Sequence, residues 1–334
     1  MALDLSKLTE NELLKLPMRS LPIQLKGSWV AEQVALLHGE LARRGLKFKP
    51  RVYIGDEWFS PDGVPAIAVP FYLFHPALLS LEKKIMLETE GGKAAECLRL
   101  LRHECGHALV HAWRLTREPE WSALFGAVEA DADNYYHVRP YSKRYVRHLK
   151  GWYAQSHPEE DFAETFAVWL TPHIDWRKRY DGWPALAKLE YVERLAARLK
   201  GQTPPVKSGP SSYQLRCIER KLETHYRLRR KMYAEDDIGY FDADLSRIFP
   251  GSPGGPSAAT WISASRRVLT EAATHWTRDR KFTVSSLLTR LARRCRELKL
   301  AMPADPQQAT LEFASYLTAL AANHVFTKRF KSRR

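Results

Sequence analysis

The stretch Leu98–Val110, Leu-Arg-Leu-Leu-Arg-His-Glu-Cys-Gly-His-Ala-Leu-Val, decides how this chain is interpreted. Its apolar spacing predicts a helix over residues 93–114. On a helix, residues four apart lie on the same face, so His103 and His107 present their imidazoles to one side. Glu104 directly follows the first histidine. The stretch therefore predicts a histidine pair and a carboxylate on one helix surface.

The spacing of these three side chains is that of a catalytic zinc site. Two imidazoles at this separation can both reach one zinc ion at about 2.0–2.1 Å. Glu104 can then accept a proton from a metal-bound water and pass it to a leaving amine. Gly106 costs a helix about 1 kcal/mol relative to alanine, which tight packing at that turn would explain. The alternative is a buried helix whose histidines make hydrogen bonds within the core.

A catalytic zinc also needs a third protein ligand, and an acidic helix predicted over residues 159–169 can supply it. Glu160 and Glu164 are four residues apart, so both can face the metal helix. We expect Glu160 to bind the metal and Glu164 to accept the spare N–H of a ligand histidine. Glu159 and His157 remain rival ligands. Acidic residues are also favoured at helix starts by the helix dipole alone.

These two motifs resemble those of a zinc-binding metallopeptidase family of bacteria, within the gluzincin type of zincin. The similar stretches here are Leu101-Arg-His-Glu-Cys-Gly-His and His157-Pro-Glu-Glu-Asp-Phe-Ala-Glu-Thr-Phe-Ala, and the resemblance covers about residues 95–195. It implies a metalloendopeptidase with one Zn²⁺ per chain, held by two histidines and a glutamate. The implied substrate is a protein or peptide.

The resemblance also singles out Tyr153, seven residues before Glu160. This segment is similar to one in anthrax lethal factor, another gluzincin, in which a tyrosine at that spacing points at the zinc site. It implies that Tyr153 donates its phenol to the oxyanion of the tetrahedral intermediate. Tyr135, Tyr136 and His137 are alternatives for the same task.

The pattern of elements predicts an α+β fold. We expect a zincin-like metallopeptidase domain over residues 1–200, with a small mixed sheet and two metal-bearing helices. Residues 1–45 look helical, and strands follow after residue 50 and over 63–74. Prolines in the second strand predict an edge strand or a bulge, where a substrate could be aligned. A linker rich in proline, glycine and serine spans 201–212.

The remaining residues, 213–334, are predicted to form a basic, mostly helical domain with helices near 213–233, 258–277, 283–299 and 306–326. Residues 201–334 hold 24 Lys and Arg against 12 Asp and Glu, whereas residues 1–200 hold 28 against 26. This uneven charge indicates nucleic acid or another acidic partner, or else only a solvated basic surface. A second hypothesis is therefore a nucleic-acid-binding or regulatory protein whose zincin domain is not catalytic.

Composition sets the expected setting of the protein. No apolar run is long enough to span a bilayer, and the N-terminal residues lack the pattern of a signal peptide. The four cysteines include no CxxC pair, so neither a disulfide framework nor a cysteine zinc site is indicated. We expect a cytoplasmic protein with no membrane partner.

Overall fold

A computed structural model describes residues 3–128, 139, 141–149, 152–209, 212–232, 241–251, 254–327 and 330. The chain divides into two compact units. Unit 1 comprises Met1–Ile85 and Thr89–His225, and unit 2 comprises Met86–Glu88 and Tyr226–Arg334. The alternatives Tyr135, Tyr136 and His137 lie outside the described residues.

The described residues are mostly helical, with one small sheet, which agrees with the α+β class. The strands are β1 (Arg51–Gly55) and β2 (Ala66–Pro70). In chain order the helices are α1 (Glu10–Lys15), α2 (Trp29–Arg43), α3 (Pro76–Met86), α4 (Ala94–Trp113), α5 (Pro119–Phe125), α6 (Pro158–Leu170), α7 (Trp176–Arg179), α8 (Ala185–Leu199), α9 (Leu222–Met232), α10 (Asp242–Ile248), α11 (Ala258–Thr277), α12 (Lys281–Glu297) and α13 (Pro306–Thr327).

Unit 1 is built around the packing of α4 against α6. The predicted helices over 93–114 and 159–169 are confirmed, and nearly every residue of α6 is buried. The two backbones come very close at Gly106. A Cβ built there would lie 2.7 Å from the Cα of Ala163, well inside normal contact. The glycine between the two histidines is therefore what lets the helices meet.

Ion pairs hold two further helices to this central pair. Arg102 of α4 makes a bidentate salt bridge to Glu40 of α2, with N–O distances of 2.6 and 2.8 Å. Lys188 of α8 pairs with Asp161 of α6, and both side chains are buried. Buried pairs of this kind contribute to stability only while both partners remain. The two pairs therefore hold α2 and α8 against the helices that carry the motifs.

The sheet differs from the mixed sheet predicted. In the described residues it has two strands, β1 and β2, which pair in parallel with Arg51 opposite Ala66. Phe59 adds one isolated antiparallel bridge, accepting the N–H of Ala68 at 2.8 Å. Within the described residues β1 is the one strand paired with β2, so β2 is an edge strand as expected, but all five of its residues are buried. The strand ends at Pro70, and a 3₁₀ turn over Phe71–Phe74 follows.

The N-terminal region is less continuous than predicted. Within the described residues 3–45, α1 and α2 are the α-helical parts, because Pro17, Pro22 and Gly27 interrupt the intervening chain. Residues Leu16–Arg19 instead pair with a distant segment through an isolated bridge between Pro17 and Lys221, and Met18–Ser20 form a 3₁₀ turn. Met18 N–H donates to the carbonyl of Arg220 at 2.9 Å.

This pairing also explains why α9 begins later than the helix predicted over 213–233. The carbonyls of Ile218 and Arg220 accept hydrogen bonds from Arg19 and Met18, and Lys221 forms a bridge to Pro17, so the helix begins only at Leu222. The unit boundary falls within α9, between His225 and Tyr226, whereas the sequence placed it at the linker 201–212. Within that linker, Val206 N–H donates to the carbonyl of Ala112 at 3.1 Å, so it lies on unit 1.

Unit 2 is a helical unit built on α11, α12 and α13. The predicted helices near 258–277, 283–299 and 306–326 are confirmed. Its core is a cluster of buried leucine, alanine and phenylalanine side chains, with Phe249, Phe313 and Trp261 in mutual ring contact. In the part of the chain that is described, no helix is both long and apolar enough to cross a membrane.

Candidate metal centre

The two motifs face each other because of how α4 and α6 begin and pack. Proline occupies the first turn of α6, where its missing N–H is not needed. His157 precedes it, and its Nδ1 accepts the N–H of Glu159 at 3.2 Å, which caps the helix. This start sets Glu160 and Glu164 on the face of α6 that packs against α4.

Three potential ligand atoms converge at the contact between the helices. The Nε2 atoms of His103 and His107 are 3.2 Å apart. Oε2 of Glu160 lies 3.0 Å from Nε2 of His103 and 3.2 Å from Nε2 of His107. The three atoms thus form a nearly equilateral triangle, as the sequence motifs require.

Glu164 fixes the orientation of the first imidazole. Its Oε1 accepts a hydrogen bond from Nδ1 of His103 at 3.0 Å. Its Oε2 accepts the backbone N–H groups of His148 and Leu149 at 3.2 and 2.8 Å. A carboxylate can only accept here, so the proton of a neutral His103 resides on Nδ1 and Nε2 carries a lone pair.

The triangle fits a tetrahedral metal ion. Zinc bonds of about 2.0–2.1 Å at tetrahedral angles would place the ligand atoms roughly 3.3–3.4 Å apart, close to the distances observed. With the His103 proton on Nδ1, Nε2 and the Glu160 oxygen are both lone-pair atoms at 3.0 Å. Such atoms repel unless a cation lies between them. A metal ion is one such cation, and a second proton on His103 is the other.

The electrostatics of the cluster show how strongly it favours positive charge. Burial alone would lower the pKa of His103, but hydrogen bonds to Glu160 and Glu164 outweigh it and raise the pKa well above its usual value. Burial would likewise raise the pKa of Glu160. Hydrogen bonds from His103 and His107 instead hold that pKa far below the usual range. The site therefore keeps its carboxylate ionised and attracts a cation.

Glu104 lies beside the triangle without joining it. Its side chain is buried, and burial raises the pKa of its carboxyl, with the two ligand histidines opposing the shift. Glu160 and Glu90 are neighbouring carboxylates that raise it further. A carboxyl whose pKa is raised toward neutrality is suited to accept and return a proton.

Tyr153 borders the site from the 3₁₀ turn Tyr153–Gln155. Its hydroxyl donates to Oε1 of Glu160 at 3.3 Å, and its ring centroid lies 5.6 Å from that of His103. The Tyr153 residue remains 40% exposed. Its hydroxyl is thus close to the candidate ligands, while part of the residue reaches the surface.

Sequence reasoning missed one histidine on the metal face. His111 lies one helical turn beyond His107, and the spacing alone would have suggested it. Its Nδ1 accepts the N–H of Gly63 at 3.2 Å, and burial lowers its pKa to about 4. It therefore holds the turn that leads into β2 rather than joining the triangle.

In the described part of the chain, one group of three His, Cys, Asp or Glu side chains is close enough to share a metal ion, and it is His103, His107 and Glu160. The rivals Glu159 and His157 lie outside this group. The grouping thus rests on the chain's own geometry. Compared with known proteins, the chain matches no family model, no curated protein and no solved structure.

Proposed function

We propose that this protein is a zinc-dependent peptidase whose metal is held by His103, His107 and Glu160. The observation that carries the proposal is the triangle of two imidazole nitrogens and one carboxylate oxygen with Glu104 between the histidines in sequence. Two histidines and a carboxylate suit zinc, and three protein ligands leave a fourth position for water or substrate.

Bound zinc would supply a Lewis acid and lower the pKa of a coordinated water to about 7. The residues of the chain would manage the protons. Glu104 takes the proton of the attacking water and returns it to the departing amine. Its burial favours this role, because the raised pKa lets the same carboxyl act as base and then as acid.

Tyr153 would stabilise charge that develops on the substrate. Its hydroxyl already donates to Glu160, and a short movement would redirect that hydrogen bond to a carbonyl oxygen beside the ligands. Loss of hydration around the hydroxyl and the carboxylate of Glu160 both raise the pKa of Tyr153. The phenol therefore keeps its proton and acts as a donor.

The proposed substrate class follows from the chemistry of the motif. A glutamate between two zinc-binding histidines is the arrangement that activates water against peptide carbonyls. We therefore propose a protein or peptide substrate.

The test compares wild type with Glu104→Gln. We expect purified wild-type protein to hold about one zinc per chain, and His103→Ala to abolish it. Glu104→Gln should keep the metal but lose hydrolysis, scored by identifying cleavage products across a proteome. Wild-type protein prepared with zinc present and still metal-free would refute the proposal. Normal cleavage by Glu104→Gln would refute the assigned base.

A second candidate concerns unit 2, which we propose binds nucleic acid. Residues 226–334 hold 20 Lys and Arg against 10 Asp and Glu. Trp276 is 78% exposed near the end of α11, two residues before Arg278, and exposed aromatic rings beside cations suit single strands. Binding should weaken steeply with added salt and fall in Trp276→Ala. Nucleic-acid affinity that is unchanged both by added salt and by Trp276→Ala would exclude this role.

A further inference from the structure

The two N–H groups that hold Glu164 belong to a short segment, residues 141–149, with no regular secondary structure. His148 and Leu149 supply those N–H groups. The imidazole of His148 extends the attachment, since its Nε2 contacts the carbonyl of Arg99 on α4 at 3.0 Å. The position of this segment therefore decides whether Glu164 can hold His103.

Arg147 ties this segment to its surroundings, in addition to the carbonyls of Lys143 and Arg144, which accept from Ala185 N–H and Lys188 Nζ. The Arg147 guanidinium lies over three aromatic rings, 4.5 Å from the Trp152 centroid, 5.4 Å from Trp183 and 5.8 Å from Tyr141. We call these three residues the aromatic cluster. Arginine over aromatic faces is attracted by about 0.5–1 kcal/mol at an exposed site, and three rings share one cation here. The Arg147 backbone N–H also donates to the hydroxyl of Tyr180 at 3.1 Å.

The aromatic cluster also includes strained backbone. Tyr141 and Trp152 adopt left-handed conformations, with φ of 63° and 62°. Bulky residues are rarely found there and need their surroundings to hold them. Their rings contact each other edge to face at 5.2 Å, with Arg147 over both. Trp152 directly precedes Tyr153, which borders the metal triangle. Arg147 therefore contacts the residue before Tyr153 as well as belonging to the segment that holds Glu164.

We propose that Arg147 is a positioning residue for the metal centre. It fixes the 141–149 segment, and this segment presents two N–H groups to Glu164. Glu164 in turn fixes the Nδ1 proton and the orientation of His103. The inference rests on the proposed metal function but assigns a role that the ligand motifs do not contain. It predicts that zinc affinity depends on a side chain that touches none of the ligands.

The test is a double-mutant cycle on zinc affinity in the full-length protein, measured by competition with a chelator. We expect Arg147→Met to weaken zinc binding by about tenfold, the lower end of what losing a supporting contact to a metal ligand costs. Arg147→Lys, which keeps the cation, should recover part of the loss. Arg144→Met removes an exposed arginine of the same segment and should leave zinc affinity unchanged.

The cycle distinguishes positioning from a general loss of stability. If Arg147 acts through Glu164, Glu164→Gln should weaken zinc binding less in the Arg147→Met background than in wild type. The inference would be overturned if the double variant's loss of zinc affinity equals the product of the two single fold-losses. It would also be overturned if Arg147→Met binds zinc normally. Wild-type protein that binds no zinc would instead refute the proposed function itself.

A gentler variant covers the case in which Arg147→Met folds poorly. Tyr180→Phe removes only the hydroxyl that accepts the Arg147 N–H and should weaken zinc binding several-fold. Tyr191→Phe is its matched control, because that hydroxyl contacts Glu118 and not the 141–149 segment. Equal zinc affinities for these two variants would contradict the proposal.

Discussion

Replacing Gly106 by alanine tests the central packing contact. The added Cβ would lie 2.7 Å from Cα of Ala163, while carbon atoms prefer about 3.5–4.0 Å. The helices α4 and α6 must therefore separate by roughly 0.8–1.3 Å near the histidines. Zinc–ligand distances tolerate only about 0.2 Å, and Glu160 moves with α6. We expect zinc affinity to fall at least about tenfold.

The stability of the metal-free protein should fall as well. Overpacking costs about 1–3 kcal/mol, and the better helix propensity of alanine returns about 1 kcal/mol. We therefore expect a net loss of up to about 2 kcal/mol in the free energy of unfolding, measured with denaturant. Chelator competition on the same samples gives the zinc affinity.

Gly39→Ala is the matched control for this prediction. Gly39 is also within a helix, but its added Cβ would meet only the far end of Arg43 at 3.9 Å. The same substitution should therefore stabilise the protein by up to about 1 kcal/mol and leave zinc binding unchanged. If Gly106→Ala behaves like Gly39→Ala in both assays, the close approach of the two helices is not what sets the metal geometry.

Three further predictions concern neighbouring groups. Lys188→Met should lower the free energy of unfolding by about 3–5 kcal/mol, because it leaves Asp161 buried without its cation. Adding Asp161→Asn should restore most of that stability, and losses that simply add in the double variant would contradict the prediction. Burial lowers the pKa of His148 to about 4, so the free energy of unfolding should fall as the pH drops from 6.5 towards 4. In metal-free protein, His148→Gln should make that pH dependence shallower. Tyr153→Phe should keep zinc but lose turnover by about 10²–10³-fold, and unchanged turnover would exclude the phenol as an oxyanion donor.

The features that sequence predicted well depend on local spacing. His103 and His107 share a face because they are one helical turn apart, and Glu160 and Glu164 repeat that relation on α6. Even Gly106 indicated tight packing, because a glycine in a helix interior has a known cost. Helical periodicity was therefore enough to place each motif on one face of its own helix, whereas the packing of α4 against α6 was expected from the need for a third ligand and from the resemblance.

The features that sequence missed depend on contacts between distant residues. Residues 218–221 lie in a stretch predicted to be helical, yet they hydrogen-bond to or bridge with Leu16–Arg19 and stay outside the helix. Arg147 meets Trp183 across 36 positions of chain, and no motif marks that contact. The parallel pairing of β1 with β2 likewise joins strands whose register no local signal specifies. Such contacts form only once the whole unit has folded, so local propensity does not reveal them.

The pairing of Leu16–Arg19 with residues 218–222 has a consequence for how the protein is made. The early segment emerges from the ribosome about 200 residues before its partner, a wait of roughly 10–40 s at ordinary rates of synthesis. Until then the backbone N–H groups of Met18 and Arg19 lack the carbonyls that accept them in the folded protein. A fragment ending near residue 212 would never acquire these partners, so expression of unit 1 alone should extend past Leu222.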